Sequence, residues 1–142
     1  MDDQTKNKAI IDELIKSYFM ELETVVNYLA NSVNLDGVRA EEIKKSLNAD
    51  VTEELTHATQ LANRIKTIDG VIPGSSKFVP VQTSLQPPAD TTDVVAVIKG
   101  VIDAEEAAIT QYEKIIRLCD GFDFVTQDMC ITLLADEQQH RR

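Results

Sequence analysis

The feature that most constrains the fold is an internal repeat. Each copy has a glutamate with a tyrosine seven positions later, and then an acid-Glu-x-x-His motif about 33 residues downstream of that glutamate. The two copies are Glu21, Tyr28, Glu53, Glu54 and His57, and Glu105, Tyr112, Asp136, Glu137 and His140. A glutamate and a histidine three positions apart lie on one face of a helix. The repeat therefore predicts two similar helical hairpins.

Apolar residues recur at spacings of three and four in four segments, which is the pattern of amphipathic helices. We predict helices over about 5–33, 38–68, 92–119 and 126–142, with Thr91 or Thr92 capping the third. Residues 70–91 contain all four prolines and no helical period. Such a long loop is typical of a crossover that runs along a bundle. We expect residues 1–142 to form a single all-α domain, a four-helix bundle of two hairpins joined by this crossover, with no fifth helix.

The charge balance excludes several classes of partner. The chain has 24 acidic and 14 basic residues, a net charge of −10, which disfavours nucleic acid and anionic membrane surfaces and suits small cations. No apolar run is long enough to span a bilayer. The acidic start does not resemble a secretory signal, and the chain has only two cysteines. We therefore expect a cytoplasmic protein.

The repeated motifs place carboxylates and imidazoles on the apolar helix faces, where an uncompensated charge is costly. Four glutamates at one depth would repel one another, and two divalent cations would balance their charge. Oxygen and imidazole ligands suit iron or manganese. The predicted ligands are Glu21, Glu54, His57, Glu105, Glu137 and His140. Glu106 rivals Glu105 for its place, and Glu23 competes more weakly with Glu21.

Residues that support the ligands follow from the same reasoning. A metal-bound histidine usually donates its other N–H to a carboxylate or a carbonyl. A buried tyrosine usually finds a hydrogen-bond partner, although these tyrosines can equally be plain core residues. The expected supporting residues are Asp136 for His57, Glu53 for His140, and Tyr28 and Tyr112 for the terminal glutamates of the opposite hairpin.

With these motifs, almost the whole chain resembles the ferritin-like di-iron proteins, and most closely the bacterioferritins and bacterioferritin-like small ferritins. Residues 123–140 are similar to the fourth helix of bacterioferritins, and Glu21 with Tyr28 is similar to part of the first. The resemblance implies a di-iron centre inside one subunit. In that centre Glu54 and Glu137 bridge the metals, Glu21 and His57 complete one ion, and Glu105 and His140 complete the other.

The function that this resemblance implies is a ferroxidase. Such an enzyme oxidises Fe(II) to Fe(III) with O2 or H2O2 and stores the ferric product in a shell of identical subunits. One alternative is a di-metal oxidoreductase that stores no iron, such as a rubrerythrin-like peroxidase or a manganese catalase. The chain has no paired Cys-x-x-Cys, which disfavours the rubrerythrin reading. A non-catalytic helical assembly protein is a third class.

The sequence also departs from the bacterioferritin pattern. Leu55 stands where bacterioferritins carry the methionine that binds haem, so haem binding through that position is disfavoured. The expected lack of a fifth helix favours a shell of 12 subunits over one of 24. Cys119 and Cys130 lie about 21 Å and about 10 Å along their helices from the predicted metal level. A disulfide needs Cα atoms within about 7 Å, so we expect two reduced core cysteines.

Overall fold

Four helices account for most of residues 2–140, the part of the chain that this computed structural model describes. They are α1 (Asp3–Asn34), α2 (Ala40–Thr67), α3 (Val94–Cys119) and α4 (Phe124–His140), with a short 3-10 helix at Ser75–Lys77. Each helix begins within two residues of its predicted start. The all-α four-helix prediction is thus confirmed over the described residues. The last two residues predicted for the fourth helix, 141 and 142, lie outside them.

Aspartates cap three of the helices at their N-termini. The Asp2 carboxylate accepts a hydrogen bond from the Thr5 N–H (2.8 Å), and Asp123 accepts one from the Thr126 N–H (3.0 Å). For α3 the cap is Asp93, which accepts from the Ala96 N–H at 3.0 Å.

The prediction that Thr91 or Thr92 caps α3 was therefore wrong. The Thr91 hydroxyl donates to Asp36 at 2.7 Å, and the Thr92 hydroxyl donates to Asp90 at 2.6 Å. Both hydroxyls are thus engaged before the helix begins, and the carboxylate of Asp93 accepts from the first turn instead.

The apolar core forms two clusters with a polar layer between them. α1 packs against α2 and α3, and α3 packs against α4. One cluster is Ile10, Leu14, Leu61, Ile65, Tyr112, Ile115, Cys119, Cys130 and Leu133; the other is Tyr28, Leu35, Ala40, Leu47, Leu85, Val97 and Ala104. The buried glutamates and His57 come between these residues along the helices. The polar layer therefore lies in the middle of the bundle.

Both cysteines belong to the first apolar cluster. Cys119 and Cys130 are buried and are not joined in a disulfide. Burial raises the pKa of the Cys119 thiol to about 11 and that of the Cys130 thiol to about 12. Both therefore stay protonated and unreactive at neutral pH.

The crossover between α2 and α3 is held against a buried polar stripe on α1, formed by Glu23, Thr24, Asn27 and Asn31. The Asn31 side chain donates to the Leu85 carbonyl at 2.8 Å. This bond satisfies a carbonyl of the crossover and helps to fix the segment against α1.

None of the helices within residues 2–140 combines the length and the apolar character that a bilayer crossing requires.

Candidate metal centre

Four of the six predicted ligands meet in the polar layer. Glu21, Glu54, His57 and Glu137 each offer an atom to a group in which all atoms lie within 4.8 Å of one another. All four side chains are buried. The Nδ1 atom of His57 lies 3.5 Å from Glu21 Oε2, 3.4 Å from Glu137 Oε1 and 3.8 Å from Glu54 Oε2. One imidazole nitrogen thus faces three carboxylates.

Several atoms of this group have no hydrogen bond. Glu21 Oε2, His57 Nδ1 and Glu137 Oε1 are fully buried and lack a hydrogen-bond partner. Buried polar atoms almost always have a hydrogen-bond partner, so three buried polar atoms that face one another without one require an explanation. A divalent cation between them would satisfy all three. Carboxylate oxygen with neutral imidazole is a donor set that suits iron or manganese.

Glu54 connects this group to the second histidine. Its Oε2 atom faces His57 Nδ1 at 3.8 Å, while its Oε1 atom faces His140 Nδ1 at 3.9 Å. The two imidazole rings are nearly parallel, with centroids 6.4 Å apart. Each oxygen of one carboxylate therefore points to a different histidine, which is the geometry that a carboxylate bridging two cations needs.

The structure distinguishes between the rival glutamates of α3 and α1. Glu105 is buried and lines a cavity of about 10 Å³ together with Glu21, Glu54 and Glu137. Glu106 is exposed. Glu23 is buried, but its carboxylate binds the crossover. Glu105 and His140 are not within the tight group around His57, so the second half of the site is more open than the first.

Both histidines contact the carboxylates expected to orient them. His57 Nε2 lies 3.2 Å from Asp136 Oδ2, and His140 Nε2 lies 2.7 Å from Glu53 Oε2. Each imidazole thus turns Nδ1 towards Glu54 and Nε2 towards a carboxylate on the other hairpin. These outer bonds fix the ring orientation and leave Nδ1 directed into the site.

The two tyrosines lie at the site in different ways. The Tyr112 hydroxyl donates to Glu21 Oε1 at 2.8 Å, which joins the second hairpin to a predicted ligand of the first. Tyr28 is buried and lines the carboxylate cavity. Burial, and then the negative charge of Glu105, raise the pKa of Tyr28. Burial also raises the pKa of Tyr112, so both phenols remain protonated and able to donate.

Burial and charge shift the pKa values of two predicted ligands, Glu21 and His57. Burial raises the pKa of Glu21, against the opposing effect of His57. Burial alone would lower the pKa of His57, but the nearby carboxylates of Glu137 and Glu21 favour the charged imidazole and raise the pKa to about 10. Without a cation, His57 is thus an imidazolium at neutral pH, and this proton partly balances the carboxylates.

Asp50 is a site residue that the sequence reasoning missed. Asp50, Glu53 and His140 form a second group whose ligand atoms lie within 4.8 Å of one another. Asp50 precedes Glu53 by three residues and Glu54 by four, so the helical spacing was a usable signal. Gln82, which lines the carboxylate cavity from the crossover, had no such signal because the crossover has no regular period.

Comparison with known proteins places the chain in a family. The family profile described as "Ferritin-like domain" matches residues 11–142. The chain therefore belongs to the ferritin-like family.

Similar proteins agree with this assignment. The bacterioferritin of Desulfovibrio desulfuricans is 25% identical over 138 residues, which are 96% of this chain and 73% of that protein. A ferritin-like diiron-carboxylate protein from Bacillus anthracis has a similar structure, with a TM-score of 0.84 and 22% identity over 99% of this chain and 94% of that one. A dodecameric thioferritin from Bacteroides fragilis gives a TM-score of 0.82 and 24% identity over 98% and 84%. The predicted resemblance to ferritin-like di-iron proteins and bacterioferritins is confirmed.

Proposed function

We propose that this protein is a ferroxidase that binds two ferrous ions in the polar layer of its bundle and stores the oxidised iron in an oligomeric shell. The observation that carries the proposal is the placement of Glu54, whose two oxygens face His57 Nδ1 at 3.8 Å and His140 Nδ1 at 3.9 Å. The three orphaned atoms of Glu21, His57 and Glu137 support it.

The proposed ligand assignment follows the pseudo-symmetry of the two hairpins. Glu54 and Glu137 bridge the two ions. Glu21 and His57 complete one ion, and Glu105 and His140 complete the other. Two divalent cations balance the charge of the four carboxylates. They remove the mutual repulsion of these carboxylates, which is otherwise strong in a buried site. Iron is the proposed metal, and the same donors accept manganese.

The proposed reaction is the oxidation of two ferrous ions by an oxidant that accepts two electrons. Two ferrous ions give one electron each, and O2 takes both electrons with two protons to form H2O2. When H2O2 is the oxidant, it takes two electrons and two protons to form two molecules of water. The protein residues hold the ions: Asp136 and Glu53 fix the imidazole rings, and Tyr112 holds Glu21. His57 gives up its proton when a cation binds.

The proposed shell rests on an apolar stripe of α1. Val26, Leu29 and Val33 are 57%, 46% and 75% exposed on one side of the helix, an apolar face typical of a contact between copies. We propose 12 subunits, in line with the dodecameric state of the Bacteroides fragilis protein. Leu55 on α2 is exposed and offers no sulfur or nitrogen ligand, so the proposal includes no haem at that position.

The remaining parts of the proposal rest on net charge and on the redox state of iron and cysteine. A chain with a net charge of −10 attracts ferrous ions and repels nucleic acid and anionic membranes. We place the protein in the cytoplasm, where Fe(II) and reduced cysteines persist.

The test combines metal stoichiometry with particle mass. Wild-type protein should bind two Co(II) or Fe(II) ions per chain under anaerobic conditions, and further Fe(II) added in air should load a hollow particle with many more. Glu54→Ala and Glu137→Ala should abolish binding of both ions. The Glu105→Ala variant should bind about one ion per chain. Glu106→Ala is the control, because Glu106 is the exposed neighbour, and this variant should still bind two.

Three results would contradict the proposal. Unchanged stoichiometry in both Glu54→Ala and Glu137→Ala would refute the assigned site. A small oligomer that saturates at two ions would refute storage and favour a di-metal oxidoreductase. Metal analysis that finds two manganese ions and no reaction with Fe(II) would refute the ferroxidase.

A further inference from the structure

One wall of the carboxylate cavity comes from residues outside the ligand motifs. Gln82 of the crossover and Met20 of α1 line this cavity beside Thr24. Met20 also lines a groove on the surface of the bundle, next to the crossover. Met20 is therefore the side chain shared by the cavity and the groove, and with Gln82 it forms a partition at this side of the site.

The Gln82 half of the partition is fixed by hydrogen bonds. The Glu23 carboxylate accepts from the N–H groups of Val81 and Gln82, both at 2.9 Å. The Gln82 amide donates to the Thr24 hydroxyl at 2.7 Å and accepts from the Asn27 amide at 2.7 Å. Both the backbone and the side chain of Gln82 are held, so this half of the partition is rigid.

Met20, the other half of the partition, has a thioether side chain that is not held by strong hydrogen bonds. Methionine has three rotatable bonds beyond Cα and a soft thioether that adapts to its surroundings. A change of rotamer at Met20 requires no movement of the backbone of α1 or of the crossover.

The groove has a largely apolar lining with a net positive charge. It has a volume of about 120 Å³ and is lined by Lys16, Phe19, Met20, Glu23, Lys77, Val79 and Val81. The lining carries two lysines and one carboxylate, that of Glu23, so its net charge is positive. A net positive charge repels a divalent cation, while a neutral molecule is indifferent to it.

A second pocket beside the site is lined by acidic residues. It has a volume of about 230 Å³ and is lined by Asp50, Glu105 and His140 together with apolar side chains of α2 and α3. Glu53 lies beside Asp50 and His140. Acidic residues around a pocket concentrate cations there. The two approaches therefore select for different species.

Building on the proposed function, we propose that the small neutral oxidant reaches the carboxylate cavity through the groove, past Met20, and that divalent cations arrive by another path. The crossover thus has a functional role. Glu23 holds Gln82 in place as the fixed side of the passage, and Met20 is its movable side.

The experiment blocks the groove from outside and measures cation binding and oxidation separately. Val79 and Val81 are 69% and 62% exposed and line the groove, so Val79→Trp and Val81→Trp fill it with little effect on the core. Val71→Trp is the matched control, because Val71 is an 81% exposed crossover residue away from the groove. Met20→Leu keeps the volume but reduces the flexibility of the partition.

Two stopped-flow measurements are made on each variant. Anaerobic Co(II) binding should keep the wild-type rate and stoichiometry in the three tryptophan variants. Protein preloaded with two Fe(II) ions is then mixed with limiting O2 or, separately, with limiting H2O2. Oxidation should slow by about tenfold in the two groove-filling variants, equivalent to about 1.4 kcal/mol on the barrier to access. Met20→Leu should be slowed in the same direction, and Val71→Trp should match wild type.

The two oxidants identify which species uses the groove, and a rate loss with either one supports the proposal. Wild-type oxidation rates with both oxidants in Val79→Trp and Val81→Trp would overturn it. So would an equal slowing of Co(II) binding, since the groove would then admit cations. A wild-type protein that binds no Co(II) would instead refute the proposed function, and that outcome is distinct from the others.

Discussion

At the residue scale, the site depends on the different surroundings of the two nitrogens of each histidine. Nδ1 of His57 faces three buried carboxylates, while Nε2 contacts Asp136. His140 repeats the arrangement with Glu54 and Glu53. Because the outer carboxylates occupy Nε2, the inner nitrogens are directed at the space between the glutamates. That space is therefore lined by negative charge and is the proposed position of a cation.

The pKa of His57 leads to a prediction about proton release. Since the pKa of His57 is about 10 in the metal-free protein, this imidazole is protonated at neutral pH and must lose its proton when a cation binds Nδ1. Binding should release at least one proton per chain, and the apparent affinity should rise about tenfold per pH unit between about pH 7 and pH 9. Calorimetry in buffers of different ionisation enthalpy measures the released protons.

The control for proton release is His57→Gln, which keeps a polar side chain but has no titrating proton. It should bind its remaining cation with a weaker dependence on pH. Equal heats in all buffers for the wild-type protein would show that His57 is already neutral, contrary to the prediction.

At the element scale, the crossover and α3 approach each other very closely. A Cβ atom placed on Gly100 would lie 2.6 Å from Leu85 Cα and 2.7 Å from Leu85 N. Leu85 is buried with a φ of 63°, and its carbonyl accepts from Asn31. Glycine at position 100 therefore allows the crossover to lie directly on the helix, which also positions Gln82 at the cavity.

The close approach predicts that Gly100→Ala is destabilising. Alanine gains about 1 kcal/mol of helix propensity, but overpacking against the backbone of Leu85 should cost more. We expect a net loss of about 1–3 kcal/mol in the free energy of unfolding, measured by chemical denaturation of the metal-free protein.

Gly74→Ala is the matched control, because a Cβ at position 74 meets no atom within 4 Å. Its effect should stay within about 0.5 kcal/mol. A Gly100→Ala variant as stable as wild type would show that the crossover shifts away from α3 at little cost.

At the scale of the whole molecule, the exposed stripe on α1 predicts how copies associate. Leu29→Glu places a charge in the middle of the stripe formed by Val26, Leu29 and Val33, and burial of an unpaired carboxylate in an interface is costly. We expect light scattering after size-exclusion chromatography to show a shift from the large particle to small species, with α-helical circular dichroism unchanged.

Val38→Glu is the control for this prediction. Val38 is 92% exposed and lies between α1 and α2, away from the stripe. The control variant should assemble like the wild type. A Leu29→Glu variant that keeps the wild-type particle mass would show that the stripe is not an interface.

The sequence by itself determined the four helices, the long crossover and the set of candidate ligands. Helical periodicity and the Glu-x-x-His spacing are local properties of the chain, so they can be read without a structure. The glutamate and histidine of each motif lie on one helix face because three residues make nearly one turn.

Only the tertiary structure decided which groups meet across the bundle. It placed Glu105 rather than Glu106 at the cavity, assigned Glu23 to the crossover, and added Asp50 and Gln82 to the surroundings of the site. The physical reason is that these contacts depend on helix rotation and on the path of an irregular segment. Both are fixed by packing between residues far apart in sequence, such as Gly100 against Leu85, and no local pattern encodes them.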